Sequence, residues 1–445
     1  MRRGTRRLLA ALATTAALIV VPALPAAAVD GPGLWYVDAF HLPDAWAAGY
    51  TGEGVTVAVI DSQIHPDIPA LEGAGLTVRE PSFCADDDGA AYPATTDSLT
   101  AKHGTNTASY VVGNGTAADG ELGVFGAAPG AELLYYNALI SPPTADGIQF
   151  DGRCDPVDDP TGNTTIEAVD AAIDDGADII SISLAIDWDQ DWTPTILRAN
   201  EAGVVILVGL PDVIGQPDGL ARANSVVAVQ AIGADGAALA TDGVPNTFEK
   251  VTVANAGVDL LVQGSSAGTP EAEKNWTDQS LANGTSIATP LTAGFLAVVK
   301  QKYPKATGNQ LIQTLIHNTG GGNPELTSDN TYGYGVASLT TMLQVDPTTY
   351  PDVNPLILDG ADAYPAAAEF DAASSAEPSE SASESPTAPA AASDDDASGL
   401  SVPLVVTIAV VGILVLAGLI VLIVVLARRR PSTPSPAAGH TQTGA

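Results

Sequence analysis

Positive charge is scarce in this chain: its 445 residues include 52 Asp or Glu against 17 Lys or Arg, a formal net charge of −35. Seven of those 17 fall at the two ends, in 2–7 and 428–430, so the chain between them carries no basic footprint for nucleic acid. Cysteine is limited to Cys84 and Cys154, which excludes a disulfide-dense mini-scaffold and a multi-cysteine metal site. Aromatics make up only 5%, so the grouping of Trp35, Tyr36, Phe40 and Trp46 stands out as a short packing arm. Long apolar runs are confined to 8–21 and 402–427. Acidic clusters at Asp86 to Asp88, at Asp155 with Asp158 and Asp159, and at Asp187, Asp189 and Asp191 match no specific calcium loop. They read as a solvated acidic surface, and the sequence calls for no metal and no cofactor.

What is present is organised around Asn283-Gly284-Thr285-Ser286-Ile287-Ala288-Thr289-Pro290, a small-residue turn that runs into the apolar helical stretch 291–300. A nucleophilic serine needs a clear hydroxyl, a backbone N–H aimed at the developing oxyanion and the positive end of a helix. It also needs a histidine to take its proton and a carboxylate to orient that histidine. Asp61 ends the apolar run 55–60, which barely alternates and so reads as a buried parallel strand. Among five histidines, only His103 opens a turn of small and capping residues that leads into a helical stretch. Taken singly, a Gly-Thr-Ser is common loop chemistry, a His-Gly-Thr is more often a helix cap, and an Asp after a strand is usually a turn former. Together, in the order Asp61, His103, Ser286, they point to a catalytic triad.

These motifs resemble those of the subtilisin-like serine peptidases. Asp61-Ser62-Gln63 with His65-Pro66-Asp67, His103-Gly104-Thr105 and Gly284 to Pro290 are similar to the family's aspartate, histidine and serine motifs. Gly126 to Ala131, Ala177 to Leu184 and Tyr332 to Val336 also look like family landmarks. The resemblance covers about residues 35–343. It implies an α/β, three-layer fold with a mostly parallel sheet, in which Ser286 attacks a peptide carbonyl and His103 relays the proton. Strand patterns at 55–60, 132–138, 179–184, 204–209 and 225–230, and helix patterns at 164–175 and 194–202, agree with that class.

The remaining organisation follows from composition. Residues 1–28 read as a signal peptide, 29–53 as an N-terminal arm, 54–350 as the peptidase domain and 351–399 as an acidic Pro/Ala/Ser-rich linker. Residues 400–427 read as a single transmembrane helix and 428–445 as a tail that Arg428-Arg429-Arg430 keeps cytoplasmic. With cleavage after Ala28, 32 residues would precede Asp61, too few for a compact inhibitory prodomain. That layout is most similar to the mycosins, membrane-anchored peptidases of type VII secretion. It implies an extracytoplasmic domain, a protein or peptide substrate, membrane attachment, and secretion-complex subunits as partners. Two Cys in an exported domain are most simply one disulfide, Cys84 to Cys154, with two separate thiols as the alternative.

Two positions depart from the family pattern. Gln63 stands where the aspartate motif usually ends in Gly. At the oxyanion position, equal-length alignment after the strand 204–208 places Asp212 where the family has Asn, and no Asn occurs between Asn200 and Asn224. A buried Asp212 would have a raised pKa and could donate a hydrogen bond when protonated, giving best activity in mild acid, limited below by protonation of His103. The alternative is a catalytically impaired peptidase fold acting as scaffold or binding component of a membrane complex.

Overall fold

The computed structural model describes residues 29–86, 88–140, 143–144, 147–148, 154–157, 162–265, 275–360 and 363–375. The expected signal peptide, transmembrane helix and cytoplasmic tail lie outside the described residues.

Seven strands form one parallel sheet: β1 (Thr56–Asp61), β2 (Gly75–Val78), β3 (Glu132–Asn137), β4 (Ile179–Ile182), β5 (Val205–Gly209), β6 (Val226–Ile232) and β7 (Val253–Ala256). Their spatial order is β7-β6-β5-β4-β1-β3-β2. Strand β1 lies between β3, in register Asp61 with Asn137, and β4, in register Val59 with Ser181. The chain thus builds one side of the sheet, then crosses β1 to build the other, which leaves a topological switch point at its carboxyl end. Asp61 is the last residue of β1 and sits at that point.

Both faces of the sheet are covered, which is why its strands read as continuous apolar runs. Val57, Val59, Leu133, Tyr135, Leu207 and Val229 face one core. That core is shared with α3 (Lys102–Val112) and α6 (Thr285–Lys302). Residues one step along the same strands, Ala58, Ile60, Tyr136, Ile206 and Val208, face the opposite way. They pack on α4 (Thr164–Asp174) and α5 (Trp192–Ala202). This period of two sorts the strands into the three layers that the sequence predicts.

Helix α6 is buried from Ile287 to Val299, so it has no polar face and could be recognised only by length and by its small-residue start. The N-terminal arm forms two short helices, α1 (Trp35–Ala39) and α2 (Leu42–Ala47), over that core. Phe40 packs edge-on against Phe295, Tyr36 Oη donates to the Phe125 carbonyl at 2.6 Å, and Trp46 Nε1 donates to that of Ala127 at 3.1 Å.

The folded domain reaches further than 350, where composition begins the linker. Leu356 is buried in the core that holds α6, and Phe370, on the helix Ala367–Ser375, in the opposite one. Asn224 fastens this segment: its Nδ2 donates to the carbonyls of Leu358 and Pro365, each at 2.9 Å, and its Oδ1 accepts from the Leu358 N–H at 3.1 Å. Apolar anchors together with the hydrogen bonds of Asn224 and Asn354 hold a stretch whose average composition reads as unstructured.

Cys84 and Cys154 are joined, closing a loop of 70 residues in sequence that contains His103. The loop-entropy relation puts the stabilisation at ~4 kcal/mol, less any native strain. Chemical denaturation of the oxidised protein and of a Cys84→Ser, Cys154→Ser double variant should differ by a large fraction of that. Equal midpoints, or alkylation of both thiols before reduction, would contradict it.

Candidate active site

Asp61 is fully buried, and its carboxylate is satisfied on every side. Oδ1 accepts from the Ser62 N–H at 2.6 Å and from the Ser62 hydroxyl at 3.1 Å, and lies 2.7 Å from His103 Nδ1. Oδ2 accepts from Thr107 Oγ1 at 3.1 Å. Thr107 lies four residues after His103 on α3, the helical spacing that puts both side chains on one face. With Nδ1 committed to Asp61, the ring nitrogen that can take a proton from a serine is Nε2.

The His103 side chain is 21% exposed. Burial is the largest single influence on its pKa and opposes protonation. The Asp61 carboxylate, by charge and by hydrogen bond, and the charge of Asp212 together outweigh it, so the net direction is upward from the ordinary histidine value.

The close approach of α3 to the end of β1 explains Gly104. A Cβ there would come within 1.8 Å of Tyr135 Oη and 2.7 Å of the Gln63 carbonyl oxygen. Gln63 itself is accommodated: its side chain is buried, Nε2 donates to the Pro93 carbonyl at 2.9 Å, and Oε1 accepts from Thr100 Oγ1 at 3.3 Å.

Ser286 is the second residue of α6, where backbone N–H groups have no intrahelical acceptor. Pro290, four residues on, has no N–H to give to the Ser286 carbonyl. Ser183, just past β4, supplies the missing donor, its hydroxyl 3.0 Å from that carbonyl oxygen. Thr285 ties the same turn to the end of β5 by donating its hydroxyl to the Leu210 carbonyl. A Cβ on Gly284 would lie 2.8 Å from Ser286 Oγ and 3.3 Å from Asp212 Oδ2, so the glycine keeps open the small space that both oxygens border.

Asp212 reaches this space from the segment after β5. Its Oδ1 accepts from the Thr285 N–H at 2.8 Å and lies 3.1 Å from Thr285 Oγ1, which leaves Oδ2 on the side of Ser286. Desolvation raises its pKa, against the hydrogen bonds from Thr285 and the His103 charge. The residue is exposed at the cleft rim. Water therefore limits the upward push until something covers the site.

His103, Ser286 and Asp212 line one cleft of about 380 Å³ with Lys102, Asn106 and Ile287. The hairpin of β8 (Leu260–Gln263) and β9 (Gln279–Ala282) forms the opposing wall. Sequence reading missed this wall, along with Thr107, Ser183 and Thr285. Their only signals were helical spacing for Thr107 and the unfilled acceptor that Pro290 creates for Ser183.

A family model described as the subtilase family matches residues 52–335. The chain is 29% identical over 291 residues to a thermostable alkaline protease of Halalkalibacterium halodurans, a match spanning 63% of this chain and 66% of that protein. It is 28% identical over 306 residues to subtilisin BL of Lederbergia lenta, covering 68% of this chain and 96% of that one. Among solved structures, fervidolysin from Fervidobacterium pennivorans shares the fold, with a TM-score of 0.53 at 23% identity over 73% of this chain and 46% of its own. Since the family match spans the strand ending in Asp61, the helix carrying His103 and the helix opened by Ser286, the chain belongs to the subtilase family of serine endopeptidases.

Proposed function

We propose that this chain is an extracytoplasmic, membrane-anchored serine endopeptidase that works on protein or peptide substrates beside a type VII secretion complex, with a carboxyl group at its oxyanion position. The observation that carries the peptidase reading is the 2.7 Å contact between Asp61 Oδ1 and His103 Nδ1, in a cleft that also holds Ser286 at the start of α6. Ser286 Oγ adds to the substrate carbonyl as its proton passes to His103 Nε2, and Asp61 stabilises the imidazolium that forms. The Ser286 N–H and a protonated Asp212 Oδ2 donate to the oxyanion. The leaving amine takes the proton from His103, and water, activated by the same histidine, releases the acyl group.

A serine-directed fluorophosphonate tests this, because only an activated serine is labelled. The full chain should react at Ser286 and lose that label in His103→Ala. Failure of the wild type to label would overturn the peptidase reading in favour of a scaffold on a peptidase fold. One observation favours that second reading: an ionised Asp212 beside a forming oxyanion repels it.

The anchor rests on the sequence, where 26 uncharged residues, 402–427, precede Arg428-Arg429-Arg430. Protease added to intact cells should cut within 376–398 and release the folded domain into the medium. Digestion of the 428–445 tail with the domain still protected would reverse the orientation.

A further inference from the structure

We propose that Lys102 makes this cleft selective for substrates with an acidic side chain next to the scissile bond, an inference that rests on the serine-endopeptidase reading. Lys102 immediately precedes His103 and lines the same cleft as His103, Asp212 and Ser286. It is the first residue of α3, the end of a helix at which a cation is less favourable than an anion. It is partly buried, and burial lowers the pKa of its ammonium group.

Among the described residues no carboxylate stands within ion-pair distance of Lys102, although acidic residues outnumber basic ones 52 to 17. Its hydrogen-bond partner is neutral, the Ser265 carbonyl at 3.3 Å from Nζ. The aliphatic stem runs beside Gly264, where an added Cβ would touch Lys102 Cγ and Cδ at 3.6 and 3.5 Å. The ammonium group is thereby held just beyond the end of β8, the strand that walls the cleft. Helix end, desolvation and the lack of a counter-charge each act against a lysine here, and an anionic ligand relieves all three. In a peptidase cleft that anion is a substrate carboxylate. The overall charge of −35 would otherwise repel acidic peptides, so a local cation is the means of admitting them.

The test uses full-chain protein and fluorogenic peptides that differ only by Asp or Asn on either side of the cleaved bond. Wild type should favour one Asp peptide over its Asn partner by about tenfold in kcat/KM. Lys102→Gln should bring that ratio to about one, and Lys102→Glu should reverse it. Binding of the same peptides to Ser286→Ala, with and without Lys102→Gln, reads the charge preference without turnover. An absence of hydrolysis therefore counts against the peptidase reading, and binding still decides the role of Lys102. A ratio unchanged by Lys102→Gln in both assays, or no Asp preference in wild-type binding, would overturn the proposal.

Discussion

Replacing Ser286 by Ala should lower kcat about 10⁶-fold, a size known for loss of the nucleophile in a subtilisin and so from within this family. The change removes one hydroxyl and leaves the turn intact, since Ser183 bonds to the Ser286 main-chain carbonyl and Asp212 to the Thr285 N–H. Peptide affinity should therefore change little while turnover collapses. His103→Ala should fall by a similar amount, because serine and histidine act as one unit, and the double variant should be no worse than either single one. Progress curves at high enzyme concentration measure all three. A Ser286→Ala protein that kept most of its activity would mean that another group performs the attack.

Asp212→Asn should do the opposite and raise kcat at slightly alkaline pH, by up to ~10², the order of one oxyanion donor, again a figure from a subtilisin. The geometry makes this exchange nearly isosteric. Oδ1 already serves as an acceptor for the Thr285 N–H, and an asparagine carbonyl can keep that bond. Nδ2 would then replace Oδ2 on the side facing Ser286, supplying at every pH the N–H that a carboxyl supplies only when protonated. On the proposed mechanism, the active form of the wild type needs neutral His103 together with protonated Asp212. Moving one proton from Asp212 to His103 gives the ion pair of the same total charge, and each group's charge favours the other's ionised state. The active form is thus a minority at any pH. An Asp212→Asn rate equal to wild type throughout would place Asp212 outside the oxyanion site.

The parts legible in the sequence were those fixed by local pattern. The central strands lack alternation because both faces are buried, and the predicted run 55–60 appears as Thr56–Asp61, one residue further along. The small residues at 104–105 and 284–286 marked helix starts because close approach forbids anything larger, as the space around Gly104 and Gly284 shows. The edge strands Gly75–Val78 and Val253–Ala256 were not legible, being only four residues each. The wall formed by β8 and β9 comes from residues about 160 positions after His103, for instance the Gln263 N–H donating to Asn106 Oδ1 at 2.8 Å. Such a pairing has no local trace. The segment at 351–375 was misread because composition averages over a window, whereas Leu356 and Phe370 hold it as single anchors.

The most direct measurement of the central claim, a working triad whose oxyanion site carries a titrating carboxyl, is the pH dependence of kcat for wild type and Asp212→Asn on one peptide. In the wild type the rate should rise as the His103–Asp212 pair loses its first proton and fall as it loses the second, which Asp61 and the ionised Asp212 hold on His103 above the ordinary histidine range, giving a low bell. Asp212→Asn should give a higher plateau with no falling limb, its single rising limb set by His103 alone with one of the two charges that raise it gone. A wild-type plateau of equal height, with neither a falling limb nor a shift on substitution, would contradict the account.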